Sequence, residues 1–154
     1  LPFIGNMVVG GILGLVFLFT EAAIYGNTDQ MWIPFFLAAA LSTIRELCKD
    51  AADMAGDSME NLQTFPRKFG LISTLWLLRI LALTLCIFAL SLYTSGDYGI
   101  IYLVILILGV EIPLLYSLFL VLSEKSGSDD YSKAAKTLKG VTIAGMLVIL
   151  SSAF

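Results

Sequence analysis

The sequence contains no histidine. That excludes His-based metal centres and the Ser-His and Cys-His nucleophile pairs. It has only two cysteines, Cys48 in a charged stretch and Cys86 deep in an apolar run. They are expected at different depths and unbridged, as small buried residues. Charge is scarce too: 14% of the 154 residues are charged, against about 25% in a soluble domain. The basic residues form no nucleic-acid footprint, so no nucleic-acid partner is expected. No basic stretch precedes the first apolar run, so no signal peptide is expected. The first residue is Leu1 rather than Met, and the chain reads as a piece of something longer.

Apolar residues are abundant. They make up 58% of the chain, and the mean hydropathy is +0.92. Such values belong to polytopic membrane proteins. A spanning helix needs roughly 20 mostly apolar residues. Five spans are predicted, at about 4–25, 31–47, 69–93, 98–122 and 134–154. The fold class is therefore all-α: a membrane helix bundle, one transmembrane domain over residues 1–154. Trp32 suits an interface belt and Pro34 a first helical turn. The stretches "TSGDYG" and "SEKSGSDDYSK" read as loops by their Gly, Asp and Ser content. Gly5, Gly10, Gly11 and Gly14 in the first span are expected to let helices approach closely.

Eight of the nine Lys and Arg fall in two connections: Arg45, Lys49, Arg67 and Lys68, then Lys125, Lys133, Lys136 and Lys139. The positive-inside rule places both connections in the cytoplasm, alternating as five spans require. Away from the two basic connections, the predicted spans carry Glu21, Arg79 and Glu111. Intramembrane charges are costly and usually paired or turned to a cavity. Arg79 and Glu111 lie on adjacent antiparallel spans at similar depth and are expected to pair. Glu21, near the outer end of its span, is expected to meet interfacial water.

The most unusual stretch, "RELCKDAADMAGDSMENLQTFP", lies in the connection at about 45–70. Asp50, Asp53 and Asp57 are spaced i, i+3, i+7. On a helix that brings them within about 60° of each other, with Glu46 one turn earlier on the same face. A row of carboxylates repels itself unless a divalent cation sits against it. Hard oxygen ligands suit Mg²⁺, which takes one or two carboxylates and completes its shell with water or phosphate. The row therefore points to a Mg²⁺–diphosphate site. Arg45 and Lys49 would contact phosphate oxygens, one as a planar fork and the other as a point charge. Arg67 and Lys68, after Pro66, would close the site from the far end of the loop. A mixed charge run between two spans is equally what a solvated loop looks like. Gly56 also weakens a helix ahead of Asp57.

At these residues the sequence resembles the UbiA superfamily of intramembrane prenyltransferases. The family's second aspartate-rich motif, D-x-x-D-x-x-x-D, is matched by Asp50, Asp53 and Asp57. The digeranylgeranylglyceryl phosphate synthase branch, with R-E-x-x-K-D-x-x-D-x-x-G-D, is matched by Arg45, Glu46, Lys49, Asp50, Asp53, Gly56 and Asp57. Thr64-Phe65-Pro66 and Gly70 follow in the place of the branch's T-L-P-like turn and glycine. Gly5-Asn6 resembles the opening of the family's fifth helix, and "AAKTLKG" the lysine-bearing approach to its last. The departures are Phe65 where Leu is common, and Ala52 where an acidic residue often precedes the second aspartate.

The resemblance implies a nine-helix fold of which the five spans are helices five to nine. The first four helices and the first motif would lie outside the chain, which alone would not be competent. It implies that Asp50, Asp53 and Asp57 are catalytic and hold Mg²⁺, that Arg45 and Lys49 bind the diphosphate, and that Asn6 faces the substrate chamber. The implied reaction is transfer of a polyprenyl group from prenyl diphosphate to a lipid acceptor, an isoprenoid glycerol phosphate. The implied place is the inner cell membrane, with the motif loop in the cytoplasm. Two alternatives stay open at this point: an aromatic quinone precursor as acceptor, and a non-enzymatic cation-binding transporter fragment.

Overall fold

The computed structural model describes residues 2–54, 63–96, 98–121 and 126–151. Among the described residues five helices follow one another: α1 Pro2–Tyr25, α2 Trp32–Ala52, α3 Phe65–Thr94, α4 Ile100–Leu120 and α5 Ser128–Ser151. No strand occurs among the described residues. An all-helical answer is what lipid demands, because a helix satisfies its backbone polar groups within one segment. Four of the helices, α1, α3, α4 and α5, are long and apolar enough to cross a membrane. The chain is an integral membrane protein.

α2 is the exception by composition. Its 21 residues are of crossing length, yet its last two turns carry Arg45, Glu46, Lys49 and Asp50. The helix continues past the expected boundary at residue 47 and ends at Ala52. The first part of the charged stretch is thus helical, not loop.

Two interruptions shape the other helices. Gly70 (φ 82°, ψ 164°) breaks α3 after its first turns. That left-handed backbone is one an L side chain rarely adopts. Within α4, Leu106–Glu111 is π-helical. Buried Tyr102, Leu106, Val110 and Leu114 recur there every four residues. A regular α-helix would rotate such a row steadily off one face, and a wider turn holds it in place.

The core joins α2 to α5. From α2 it takes Ile44, Leu47, Cys48 and Ala51, from α3 Leu78, Ala82 and Leu85, from α4 Leu106 and Leu114, and from α5 Tyr131, Ala134 and Leu138. Most recur at i, i+3, i+4, i+7 spacing, so each helix gives one stripe to the interior. The Tyr102 hydroxyl donates to the Ala89 carbonyl at 2.9 Å, tying α4 to α3. Both cysteines are free thiols, as expected.

α1 packs along α2 through a narrow stripe: Asn6, Gly10, Gly14, Leu18 and Glu21. A Cβ on Gly10 would lie 2.5 Å from the Ala39 carbonyl oxygen, and one on Gly14 2.7 Å from that of Phe35. Among the described residues nothing lies within 4 Å of a Cβ on Gly5 or Gly11. Within this helix pair the close approach therefore rests on Gly10 and Gly14. Lipid gives helices no hydrophobic reason to associate, so close backbone approach supplies the attraction.

Both expectations for the intramembrane carboxylates change. Glu21 does not face water: it is 4% exposed. Its Oε1 accepts the backbone N–H groups of Asp29 (3.1 Å) and Gln30 (2.8 Å), and its Oε2 that of Met31 (2.9 Å). The carboxylate thus folds the α1–α2 loop and satisfies donors at the start of α2. Among the described residues no ion pair joins Glu111 to Arg79, and the buried Glu111 Oε1 has no hydrogen-bond partner there. The Arg79 guanidinium instead lies 5.1 Å from the centre of the Trp76 ring. The π-helical turn ending at Glu111 shifts that side chain out of the register an unbroken helix would give it.

Candidate active site

The charged end of α2 is flanked by α1 on one side and α5 on the other. Adjacent side chains on α2 point about 100° apart, so Glu46 and Asp50 face one neighbour, Arg45, Lys49 and Asp53 face the other, and two cavities result. The first, of about 380 Å³, lies against the start of α1 and is lined by Gly5, Asn6, Glu46, Asp50, Gln63 and Thr64. The second, of about 220 Å³, lies against α5 and is lined by Arg45, Lys49, Asp53, Ser132, Lys136 and Lys139.

In the first cavity the Asn6 amide donates to Asp50 Oδ2 at 2.8 Å. Asn6 is only 5% exposed, so this amide is fixed by packing as well as by its bond. The Gly10 and Gly14 approach, one and two turns further along α1, sets how near Asn6 comes to Asp50. Glu46 sits one turn before Asp50. Its Oε1 is 3.4 Å from Arg45 Nη1 and its Oε2 3.9 Å from Lys49 Nζ. Glu46 therefore belongs to the first cavity while holding two cations that line the second.

Of the three motif aspartates, Asp50 lies in the first cavity and Asp53 in the second. Asp53 stands just past the helix end, where its N–H donates to the Lys49 carbonyl at 2.9 Å. Asp57 lies outside the described residues. Arg45 and Lys49, expected beside the diphosphate with Asp50, line the second cavity.

Among the described residues no three acidic or thiol groups are gathered to hold a metal ion. What the first cavity offers is a pair of carboxylates, Asp50 and Glu46, one helical turn apart. That suits Mg²⁺, which commonly takes one or two carboxylates and keeps its other positions for water and phosphate. The donor set fits an open, substrate-completed site and not a closed cage.

Sequence reasoning did not single out Gln63, and it gave Thr64 only as part of the turn before Pro66, not as a lining residue of the first cavity. Lys136 and Lys139 were read as orientation signals and as part of the lysine-bearing "AAKTLKG" stretch, not as cavity residues. Their i, i+3 spacing, with Ser132 one turn earlier, was the available clue to a common face.

The UbiA prenyltransferase family matches residues 1–140. The digeranylgeranylglyceryl phosphate synthase of Methanopyrus kandleri is 32% identical over 151 residues, covering 98% of this chain and 54% of the relative. That of Methanospirillum hungatei is 35% identical over 155 residues, covering 99% of this chain and 54% of the relative. A solved structure, from work on structural and mechanistic insights into digeranylgeranylglyceryl phosphate synthase in membranes, superimposes with a TM-score of 0.84 at 29% identity. It covers 97% of this chain and 52% of that one. The chain spans about half the length of the relatives it matches. From the family's match over residues 1–140 and the shared helical arrangement, the chain belongs to the UbiA prenyltransferase family.

Proposed function

We propose that this chain forms the half of a membrane prenyltransferase that bears the second aspartate-rich motif. The proposed reaction is Mg²⁺-dependent transfer of a polyprenyl group from prenyl diphosphate to an isoprenoid glycerol phosphate. The observation behind this reading is the Asn6–Asp50 hydrogen bond inside a cavity at the charged end of the bundle. A carboxylate in a merely solvated loop would not be held by a buried amide from another helix. The matching relatives are named for digeranylgeranylglyceryl phosphate synthesis, which favours the glycerol phosphate acceptor.

Asp50 supplies a fixed carboxylate, with Asn6 orienting it as a positioning residue. Asp53 and Asp57 complete the proposed metal-holding set; Arg45 and Lys49, expected beside the diphosphate, line the second cavity and are the proposed phosphate contacts there. When bound there, Mg²⁺ would neutralise charge on the departing diphosphate. The prenyl C–O bond breaks with its electron pair leaving on the diphosphate. The acceptor hydroxyl oxygen bonds the prenyl carbon, and its proton passes to water. The first motif would come from a segment preceding helices equivalent to these five. The positive-inside rule puts the charged end in the cytoplasm, at the cell membrane.

The deciding experiment assays prenyl transfer by the full-length protein with and without Mg²⁺, alongside Asp50→Ala and Asp53→Ala. Loss in either variant, and on Mg²⁺ removal, is the expected result. Full activity in both variants overturns the metal role.

A further inference from the structure

The two cavities flanking α2 differ in charge, and the proposed reaction has two phosphate-bearing substrates. We propose that the second cavity is the seat of the acceptor's phosphate, read directly by four cations. This rests on the prenyl-transfer reading above and assigns its two anionic headgroups to opposite sides of one helix.

The geometry is that of two facing polar stripes. On α2, Arg45, Lys49 and Asp53 recur at i, i+4, i+8; on α5, Ser132, Lys136 and Lys139 recur at i, i+4, i+7. Both stripes line the same cavity of about 220 Å³. The two helices are fixed against each other beneath it. Tyr131, Ala134 and Leu138 of α5 share the buried core with Cys48 and Ala51 of α2. At the rim the Ser128 hydroxyl donates to the Ala52 carbonyl at 2.6 Å.

Four cations here meet one lining carboxylate, Asp53, or two with Glu46, which Arg45 and Lys49 share. Lys136 and Lys139 form no ion pair among the described residues and are exposed. Residues that only orient a membrane protein need not converge on a concavity. Four that do, with a hydroxyl beside them, make a charge-assisted site for a compact anion. The first cavity has the opposite character: its charged lining is acidic, so a diphosphate there needs a metal to bridge it. Separation across α2 also keeps two phosphate groups apart, while the glycerol carbons give the acceptor hydroxyl its reach.

The test uses the full-length protein in phosphatidylcholine nanodiscs. Acceptors are geranylgeranylglyceryl phosphate and the same lipid with its phosphate removed. Lys136→Ala/Lys139→Ala should raise the KM for the phosphorylated acceptor at least tenfold. The donor KM and the Mg²⁺ midpoint should stay within twofold, and the preference for phosphorylated over dephosphorylated acceptor should collapse. Lys136→Arg/Lys139→Arg should restore that preference, which a purely structural role would not. Inorganic phosphate should compete with the acceptor in the unaltered protein and not in the alanine pair.

A rise in donor KM, or equal loss with both acceptors, overturns the proposal while prenyl transfer stands. A defect seen only in phosphatidylglycerol nanodiscs assigns the cations to bilayer headgroups and overturns it too. If the unaltered protein transfers no prenyl group, that reading fails separately. Equilibrium binding of ³²P-labelled acceptor without donor then decides this one: binding lost in the alanine pair and kept in the arginine pair supports it, and equal binding in all three overturns it.

Discussion

Two carboxylates stand at opposite ends of the α1–α2 hairpin, and their surroundings differ. Glu21 is 4% exposed and accepts three backbone N–H groups from the connecting loop. Its two oxygens are committed to folding. Asp50 is bonded by the Asn6 amide and lies along an open cavity of about 380 Å³. Both are acids near the same helix pair, yet one closes a loop and the other faces a chamber. A buried charge is therefore no guide to function until its partners are known: backbone donors point to architecture, and a side-chain amide beside open volume points to chemistry.

Substitutions can break this contrast, beginning with the largest expected effect. Asp50→Ala should lower prenyl transfer by the full-length protein about 100- to 1000-fold, the rate equivalent of several kcal/mol of lost metal-assisted stabilisation. The protein should still fold, its melt falling by no more than an unpaired Asn6 amide costs. Glu21→Ala should do the reverse. Leaving buried N–H groups unsatisfied costs about 1–3 kcal/mol, so the melt should fall while the turnover of folded molecules is retained. A turnover loss with an unchanged melt would erase the distinction between the two ends.

Gly10→Ala probes the link between them. Its Cβ would meet the Ala39 carbonyl oxygen at 2.5 Å, so α1 must shift, at about 1–3 kcal/mol. That displacement should lower both melt and transfer, because Asn6 and Glu21 ride on the same helix. Asn6→Ala should be milder than Asp50→Ala: a roughly tenfold loss of transfer or Mg²⁺ affinity, the usual scale for a residue orienting a metal-holding carboxylate. Gly11→Ala should have the smallest effect. Among the described residues nothing lies within 4 Å of its Cβ position, and helix propensity alone would favour alanine by about 1 kcal/mol. A large loss at Gly11 would mean that another surface covers this side of α1.

Much of the fold was legible because lipid restricts the choices. Apolar runs of spanning length leave helices as the solution, and the boundaries of α1 were readable within a few residues. The end of α2 was not: charge density argued for a loop, but packing of Ile44, Leu47, Cys48 and Ala51 against the core carries the helix on to Ala52. Asp50 and Asp53 were readable as one row from spacing alone. Their assignment to separate cavities was not, since it depends on α1 and α5 flanking the same helix end. Arg79 and Glu111 matched in estimated depth. Depth says nothing of rotation, and the π-helical turn alters the register. Glu21 was misjudged because a loop folding back over its own helix leaves no periodic signal.

By itself the amino-acid order determined that this is a helical membrane protein with an acidic row at the end of its second apolar run. Those properties follow from hydropathy and from residues close in the chain. Tertiary structure alone decided which aspartate meets Asn6, which cations meet α5, and which carboxylate is spent on the loop. Those are contacts between helices, with 44 residues separating Asn6 from Asp50 and 76 separating Ala52 from Ser128. At such separations packing geometry selects the neighbour, and local spacing does not.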